Sequence, residues 1–387
     1  MKTVLLAISG SIAFYKAYEL ISLFKKEEFR VKVLLSKGVL NFASKMSFEA
    51  LADEVLCEEN ESWNNFNNHI AFSKDCDVVV FAPASINSIN KFSQGIADNL
   101  FIQTLIAVDK SKSFIIAPAA NTNMYLHFSV QKSLKLLKEN GYIIIDPIVK
   151  TLACKDEGIG ALAEIKDIFN ITKRELLKEK FWCTQNIIVT GGGTREKIDD
   201  VRCISNFSSG KMAKAIADAC YFLGANVKLF SSINFDTPYE LYEFESSKDL
   251  KELLNDNLEN DFLVMVAAVS DFIPKIIKGK IKKEEYLEGL DLHLKLNEDL
   301  LKNCNFKGKK IGFKMEYDKI CAVENAKKSL LDKNLDMICL NILDEDMEFG
   351  SDENRISFIT KGQIFQSQKM SKEKLAFVLM QEMSKLQ

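Results

Sequence analysis

Residues 186–230 read NIIVTGGGTREKIDDVRCISNFSSGKMAKAIADACYFLGANVKLF, and this stretch decides the fold. The apolar run Ile187-Ile188-Val189 meets three glycines, Gly191, Gly192 and Gly193. A polar loop follows, then Ser208-Ser209-Gly210, and apolar residues return at Met212, Ala215, Ile216, Ala219, Cys220 and Leu223. That spacing is one face of a helix with 3.6 residues per turn. Gly224 closes the helix, and Val227, Leu229 and Phe230 begin another strand. Strand, glycine loop, helix and strand in succession build parallel α/β sheets. The loop aims backbone N–H groups and a helix N-terminus at one place, where a phosphate can bind. The loop is neither of the common phosphate fingerprints. Glu196 stands where a third glycine of G-x-G-x-x-G belongs, and Gly210-Lys211 is followed by Met212, with Ser205 in place of the upstream glycine of a P-loop.

Working outward, the chain opens with the same arrangement. Lys2–Ile8 is an apolar strand, Ser9-Gly10-Ser11 a turn, and Ala13, Phe14, Ala17, Leu20, Ile21 and Phe24 a helical stripe leading to a second strand, Val31–Leu35. Further strands are expected at Asp77–Ala82, Phe114–Ala117 and Ile143–Ile145, the first two followed by Pro83-Ala84-Ser85-Ile86-Asn87-Ser88 and by Pro118-Ala119-Ala120-Asn121. Ligands of such sheets sit at the strand C-terminal ends. Read alone, Ser85–Ser88 is an ordinary capped helix start, His69 a surface helix histidine and Asn121 a turn or cap. Leu152–Gly160 is a loop that holds Cys154 beside Lys155; a neighbouring cation can lower a thiol's pKa, but a lone cysteine is more often a small buried hydrophobe.

At 387 residues, two or three domains are expected. An apolar share of 47% with 27% charged residues is globular, and a net charge of −3 offers no attraction to nucleic acid or to an anionic membrane surface. No apolar run reaches the roughly 18 residues of a membrane span, so a cytoplasmic protein is expected. The nine cysteines are odd in number and contain no C-x-x-C pair, which argues against a disulfide framework or a zinc site. Ile168–Gln185 is charged and helix-favouring and precedes the restart at Asn186, so the expected domains are 1–183 and 184–387.

GSIAFYKAYEL, PASINS leading to GIADNL, APAANTNMY and ACKDEGIGALAE, in that order, resemble the flavin-dependent cysteine decarboxylases, and more closely the phosphopantothenoylcysteine decarboxylase half of the bifunctional coenzyme A biosynthesis family. The resemblance runs from Lys2 to about Ile168. It implies FMN held around Gly10, Ser11, Ser36, Ser85, Asn87, Ser88 and Ala119. It makes His69 catalytic, Asn121 the partner of the substrate carboxylate, and Cys154 the acid on a mobile flap; Ala120 stands where the family usually has methionine. A flavin is needed because a carboxylate leaves as CO2 only if its electrons have a sink. Two-electron oxidation at the thiol carbon gives a thioaldehyde, loss of CO2 an enethiol, and return of hydride and a proton the saturated thiol product, with no net redox change.

The stretch from Asn186 resembles the phosphopantothenate–cysteine ligase half of the same family. The match continues through VAAVSDFIPKIIKGKIKK, LNEDLL, IGFKMEYD and LDMICLNILDEDMEFGSDENRI. By composition, the lysines at 275, 278, 280, 282 and 283 are solvated surface. The resemblance makes Lys280 catalytic and Asn206, otherwise a turn asparagine, the holder of an acyl-cytidylate. It places Gly192, Ser208, Gly210, Asp271, Lys280, Asn297, Glu298, Asp299, Leu300, Phe313 and Lys333 around CTP. Glu298 replaces the family's usual proline, and Ser329 stands where a further lysine is expected, with Lys327 and Lys328 nearby. The implied reaction activates the 4′-phosphopantothenate carboxylate on the α-phosphorus of CTP, releases pyrophosphate, and lets the amine of L-cysteine expel CMP. Mg2+ is expected with the triphosphate, with no protein ligand named.

The fold class expected is α/β: two doubly wound domains on parallel sheets, a flavodoxin-like or Rossmann-like FMN-binding domain followed by a Rossmann-like CTP-binding ligase domain. The family implies a homo-oligomer with FMN sites between subunits, and no nucleic-acid or membrane partner is expected. Two rivals stand beside this. A flavin-binding regulatory relative, or a chain with one half active, keeps the fold; a two-domain NAD(P) oxidoreductase would share the two βαβ starts but lacks the complete glycine fingerprints.

Overall fold

The structure, a computed structural model, describes residues 1–151, 157–317, 320–342 and 350–386. It divides into two compact units, Met1–Leu177 and Lys178–Gln387.

In the first unit six strands form one sheet: β1 (Thr3–Ile8), β2 (Arg30–Leu35), β3 (Glu54–Leu56), β4 (Val78–Ala84), β5 (Ser113–Pro118) and β6 (Ile143–Ile144). Their order is β3-β2-β1-β4-β5-β6 and every pairing is parallel. A parallel sheet needs both faces covered, and the sequence of β1 supplies both. Val4, Leu6 and Ile8 point into a cluster with Leu20, Ile21, Phe24 and Ile168, while Leu5 and Ala7 join Ile89, Phe92, Leu105 and Leu134 on the opposite face. Strand order reverses between β1 and β4, which opens a crevice at their C-terminal ends. Beyond the sheet, β7 (Ile148–Thr151) and β8 (Glu157–Ala161) pair antiparallel. The stretch 152–160 expected as a loop is therefore strand from Glu157 onward, because residues 157–161 find ladder partners in 148–151. Cys154 lies outside the described residues.

The second unit contains β9 (Asn186–Gly191), β10 (Arg195–Lys197), β11 (Cys203–Ser205), β12 (Asn226–Ser231), β13 (Glu240–Glu243), β14 (Phe262–Met265), β15 (Phe272–Pro274), β16 (Leu294–Leu296), β17 (Lys309–Glu316), β18 (Met337–Ile342), β19 (Glu353–Asn354), β20 (Ile356–Ile359) and β21 (Ile364–Gln366). Eight of them make a sheet in the order β13-β12-β9-β14-β17-β18-β20-β21. The expected parallel sheet is present, and it carries an antiparallel extension at one edge. The strands β13-β12-β9-β14-β17-β18 pair in parallel, but β20 pairs antiparallel with β18, and β21 antiparallel with β20. A hairpin needs no crossover helix. The turn at Thr360–Gln363, where the Thr360 N–H donates to the Gln363 carbonyl and the Gln363 N–H to the Thr360 hydroxyl, reverses the chain directly. Ile187 and Val189 pack with Ile216, Cys220, Leu379 and Met380 on one face; Ile188 packs with Leu250, Leu254, Leu301 and Leu330 on the other. The helix Lys211–Phe222 starts at Gly210, whose φ of 66° is one that glycine adopts without strain, and stops before Gly224 at φ 108°. Two antiparallel pairs, β10–β11 and β15–β16, lie outside the sheet.

Candidate functional site

The crevice of the first unit holds a cavity of about 990 Å³. Gly10, Ser11, Ser36, Ser85, Asn87, Ser88 and Ala119 all line it, and so does Asn121. They come from the turns after β1, β2, β4 and β5, which the parallel sheet brings to one edge. Ser9, a turn residue of which no site role was expected, ties two of these turns together. Its Oγ donates to the Pro83 carbonyl at 2.8 Å and accepts from the Ser85 N–H at 2.6 Å. Ser11 caps the turn Ile12–Tyr15, accepting from Ala13 N–H, and the Ser85 hydroxyl donates to that of Ser88 at 3.2 Å. Ser85 starts the helix Ile86–Gln94 without a side-chain cap bond, so that helix presents open N–H groups. Two features shape the site for a group the protein does not itself supply. The Ser36 hydroxyl is buried with no hydrogen-bond partner, and Gly10 lies so close to Gly38 that a Cβ on Gly10 would meet the Gly38 Cα at 2.9 Å. Gly38 and Ser9 carried only a weak signal in the sequence, a small residue just past a strand end.

Asn121 begins the turn of helix Thr122–Leu126, its Oδ1 accepting from Asn123 N–H at 2.9 Å. His69 is not among the residues lining the cavity. It opens the helix His69–Lys74, with Nδ1 2.9 Å from Glu61 Oε1 and its ring edge-on to Trp63.

The second unit has a cavity of about 220 Å³ at the C-terminal ends of β9, β14, β17 and β18. Gly192, Ser208, Gly210 and Phe313 line it, with Lys372 and with Asn341, whose Oδ1 is buried without a partner. Lys372 and Asn341 were not expected from the sequence. Burial and the neighbouring Lys211 lower the Lys372 pKa. Asn206 is not a lining residue; its Nδ2 donates to the Val269 carbonyl at 3.2 Å.

The other expected residues gather separately. The Asn297 N–H donates to the Asp271 carbonyl at 2.7 Å, and Asn297 Nδ2 to the Ser270 carbonyl at 2.8 Å. Glu298 pairs with Lys251 at 2.5 Å. Asp299 caps the helix Leu300–Asn303 and pairs with Lys333 at 2.8 Å. Burial would raise the Asp299 carboxyl pKa, yet Lys333 and backbone donors bring it below its usual value. Lys280 stands exposed on the loop after β15. Among the described residues, no three His, Cys, Asp or Glu side chains cluster as a metal cage, and no helix is long and apolar enough to cross a membrane.

Two family models cover nearly the whole chain. Residues 1–177 match the Flavoprotein family, and residues 182–386 match the DNA/pantothenate metabolism flavoprotein C-terminal domain. The coenzyme A biosynthesis bifunctional protein CoaBC of Bacillus subtilis is 35% identical over 100% of this chain and 97% of its own length. That of Haemophilus influenzae is 31% identical over 98% of this chain and 96% of its own. Among solved structures, a PPC decarboxylase mutant complexed with pantothenoylaminoethenethiol is 35% identical, covering 44% of this chain and 96% of that one, with a TM-score of 0.41. With two family models in tandem and relatives aligned end to end, the chain belongs to the bifunctional coenzyme A biosynthesis family, a flavoprotein domain followed by a pantothenate-metabolism domain.

Proposed function

We propose that this chain joins L-cysteine to 4′-phosphopantothenate with CTP, in its C-terminal part (184–387), and decarboxylates the product to 4′-phosphopantetheine in its N-terminal part (1–183). The observation that carries the reading is the first cavity. Seven residues assigned to FMN by sequence resemblance line one crevice, which contains an unpaired buried hydroxyl and a glycine pair with no room for a side chain.

In the N-terminal part, Gly10, Ser11, Ser36, Ser85, Asn87, Ser88 and Ala119 would hold FMN. When bound, that group supplies a reversible two-electron acceptor for the thiol-bearing carbon and its sulfur. Asn121 holds the substrate carboxylate on the cavity wall. Cys154 returns a proton to the carbon left after CO2 departs. His69 acts from outside the cavity lining, which fits a site completed by a second copy of the chain. The exposed Ile12, Tyr15, Phe42, Met46, Trp63 and Phe66 support such a homo-oligomer.

In the C-terminal part, the phosphopantothenate carboxylate attacks the α-phosphorus of CTP and pyrophosphate leaves. The cysteine amine then attacks the acyl carbonyl and CMP leaves. Negative charge grows on phosphate oxygens, so backbone N–H groups at Gly192, Ser208 and Gly210 and the Lys280 ammonium are the stabilising donors. Asn206 holds the acyl-cytidylate. Asp271, Asn297, Glu298, Asp299, Leu300, Phe313 and Lys333 form the nucleotide side; Lys333 exchanges its Asp299 partner for phosphate. Mg2+ enters with the triphosphate. A cytoplasmic setting is supported by the eight described cysteines, among which no disulfide forms.

The test uses the purified chain. Flavin absorbance at about 450 nm is expected. With phosphopantothenate, cysteine, CTP and Mg2+, mass spectrometry should find pyrophosphate, CMP and 4′-phosphopantetheine. A colourless protein that releases no pyrophosphate would refute both halves.

A further inference from the structure

The turn between β10 and β11 holds a carboxylate that the chemistry above does not use. Asp199 is 1% exposed. Its Oδ1 accepts from Val201 N–H at 2.8 Å and Arg202 N–H at 2.6 Å; its Oδ2 accepts from Ile281 N–H at 3.1 Å and from the Arg202 guanidinium at 2.5 Å. Burial alone would raise the pKa of this group. The backbone donors and the guanidinium outweigh burial and lower it to about 2. Asp199 is thus an anion throughout the neutral range, with both oxygens engaged.

What it grips is the loop that carries Lys280. Ile281, the residue after Lys280, is itself buried and donates to Asp199. Gly279, the residue before, is bonded to Asp200 in both directions: Gly279 N–H donates to Asp200 Oδ2 at 3.0 Å, and Asp200 N–H donates to the Gly279 carbonyl at 3.3 Å. Ile277 N–H donates to the Ile198 carbonyl at 2.8 Å. Gly279 has a φ of 84°, which lets the backbone turn back onto the clamp at that point. The chain is fixed on both sides of Lys280 while its side chain stays exposed. The same ribbon continues through β11 into Asn206.

We infer that Asp199 and Asp200 are positioning residues for Lys280, holding its ammonium where charge builds on the phosphate as pyrophosphate leaves. This rests on the role proposed for Lys280. Without the clamp, a glycine-hinged, lysine-rich loop would have to be ordered at every turnover, and a displacement of about 1 Å costs on the order of 100-fold in rate. A residue that only stabilised the fold would behave differently, because its loss would multiply with that of any catalytic group.

The experiment uses the full-length protein and four variants: Asp199→Asn, Asp200→Ala, Lys280→Ala and Asp199→Asn combined with Lys280→Ala. Pyrophosphate release from CTP and phosphopantothenate reads the ligase half. Decarboxylation of supplied phosphopantothenoylcysteine reads the other half as a control. Lys280→Ala should lower the kcat of pyrophosphate release by about 100-fold or more. Asp199→Asn should cost about 30-fold or more, and the exposed Asp200→Ala about 3–10-fold, so the idea stays testable if Asp199→Asn folds poorly. The double variant should be no slower than Lys280→Ala alone, and decarboxylation should be unchanged. If Lys280→Ala is impaired but the losses multiply in the double variant, or if neither aspartate variant is slowed, the clamp is overturned and the role of Lys280 survives. Normal turnover by Lys280→Ala overturns that role and the clamp with it.

Discussion

At the scale of single residues, the unpaired hydroxyl of Ser36 separates what the fold needs from what the ligand needs. A buried hydroxyl without a partner costs about 1–3 kcal/mol. Ser36 is 9% exposed and its Oγ bonds to nothing in the protein. Removing it should act with opposite signs on two measurements. Ser36→Ala should stabilise flavin-free protein by about 1 kcal/mol and weaken flavin retention by about tenfold. Urea midpoints of the stripped protein and the flavin content after dialysis read the two effects. A lowered midpoint with full flavin retention would mean the hydroxyl serves the fold. Single residues also mark the limit of what the sequence disclosed. Ser36 could be named in advance as a residue of the first crevice because its residue type and place matched a motif. Asp199 could not. In KIDDVR it reads as one of two solvated loop acids, and its decisive partner, Ile281, is 82 positions away in the chain.

At the scale of elements, the strand-to-helix turn after β1 is the part of the first site with least tolerance. A Cβ on Gly10 would meet Gly38 Cα at 2.9 Å and Gly38 C at 3.0 Å, and both are backbone atoms that cannot rotate away. Gly10→Ala should therefore push the turns after β1 and β2 apart, at a cost of about 1–3 kcal/mol. The cavity between those turns would deform with them, so the purified variant should be colourless or pale. Absorbance per mole of protein and the urea midpoint check this together. A yellow variant of unchanged stability would show that the glycine contact is slack. The elements legible in the sequence were those with an unbroken apolar run or a full helical stripe: β1, β4, β9 and the helix Lys211–Phe222. The hairpin β20–β21 escaped because its reversal rests on the Thr360–Gln363 turn and on an edge of the sheet already built by β18. Parallel strands announce themselves by the helices between them, whereas an antiparallel return leaves only short alternation. The strand β8 escaped for a similar reason: glycine-rich EGIGA reads as a loop until its partner Ile148–Thr151 is in place.

At the scale of the whole molecule, the question is where one folding unit stops and the next begins. The break in contacts falls between Leu177 and Lys178, six residues before the 183/184 boundary expected from the charged stretch ahead of Asn186. Two aromatic residues inside that stretch account for the difference. Trp182 is 1% exposed, its ring 5.5 Å from that of Phe262 and 4.7 Å from that of Phe181, within the apolar cluster of the second unit. Glu179 N–H also donates to the Leu223 carbonyl at 2.9 Å. Charge dominated the composition of the segment, but the packing of its end is decided by Trp182, with Phe181 beside it. A fragment spanning 178–387 should consequently fold as a stable unit and release pyrophosphate from CTP and phosphopantothenate. A fragment beginning at 184 loses the Trp182 side chain, and emptying a site of that size costs about 3–5 kcal/mol. Domains have only about 5–15 kcal/mol in total, so the shorter fragment should be marginal. Its urea midpoint should fall well below that of the longer one, with pyrophosphate release lost at denaturant concentrations the longer fragment withstands. Equal midpoints would place residues 178–183 outside the second core and return the boundary to the charged segment's end.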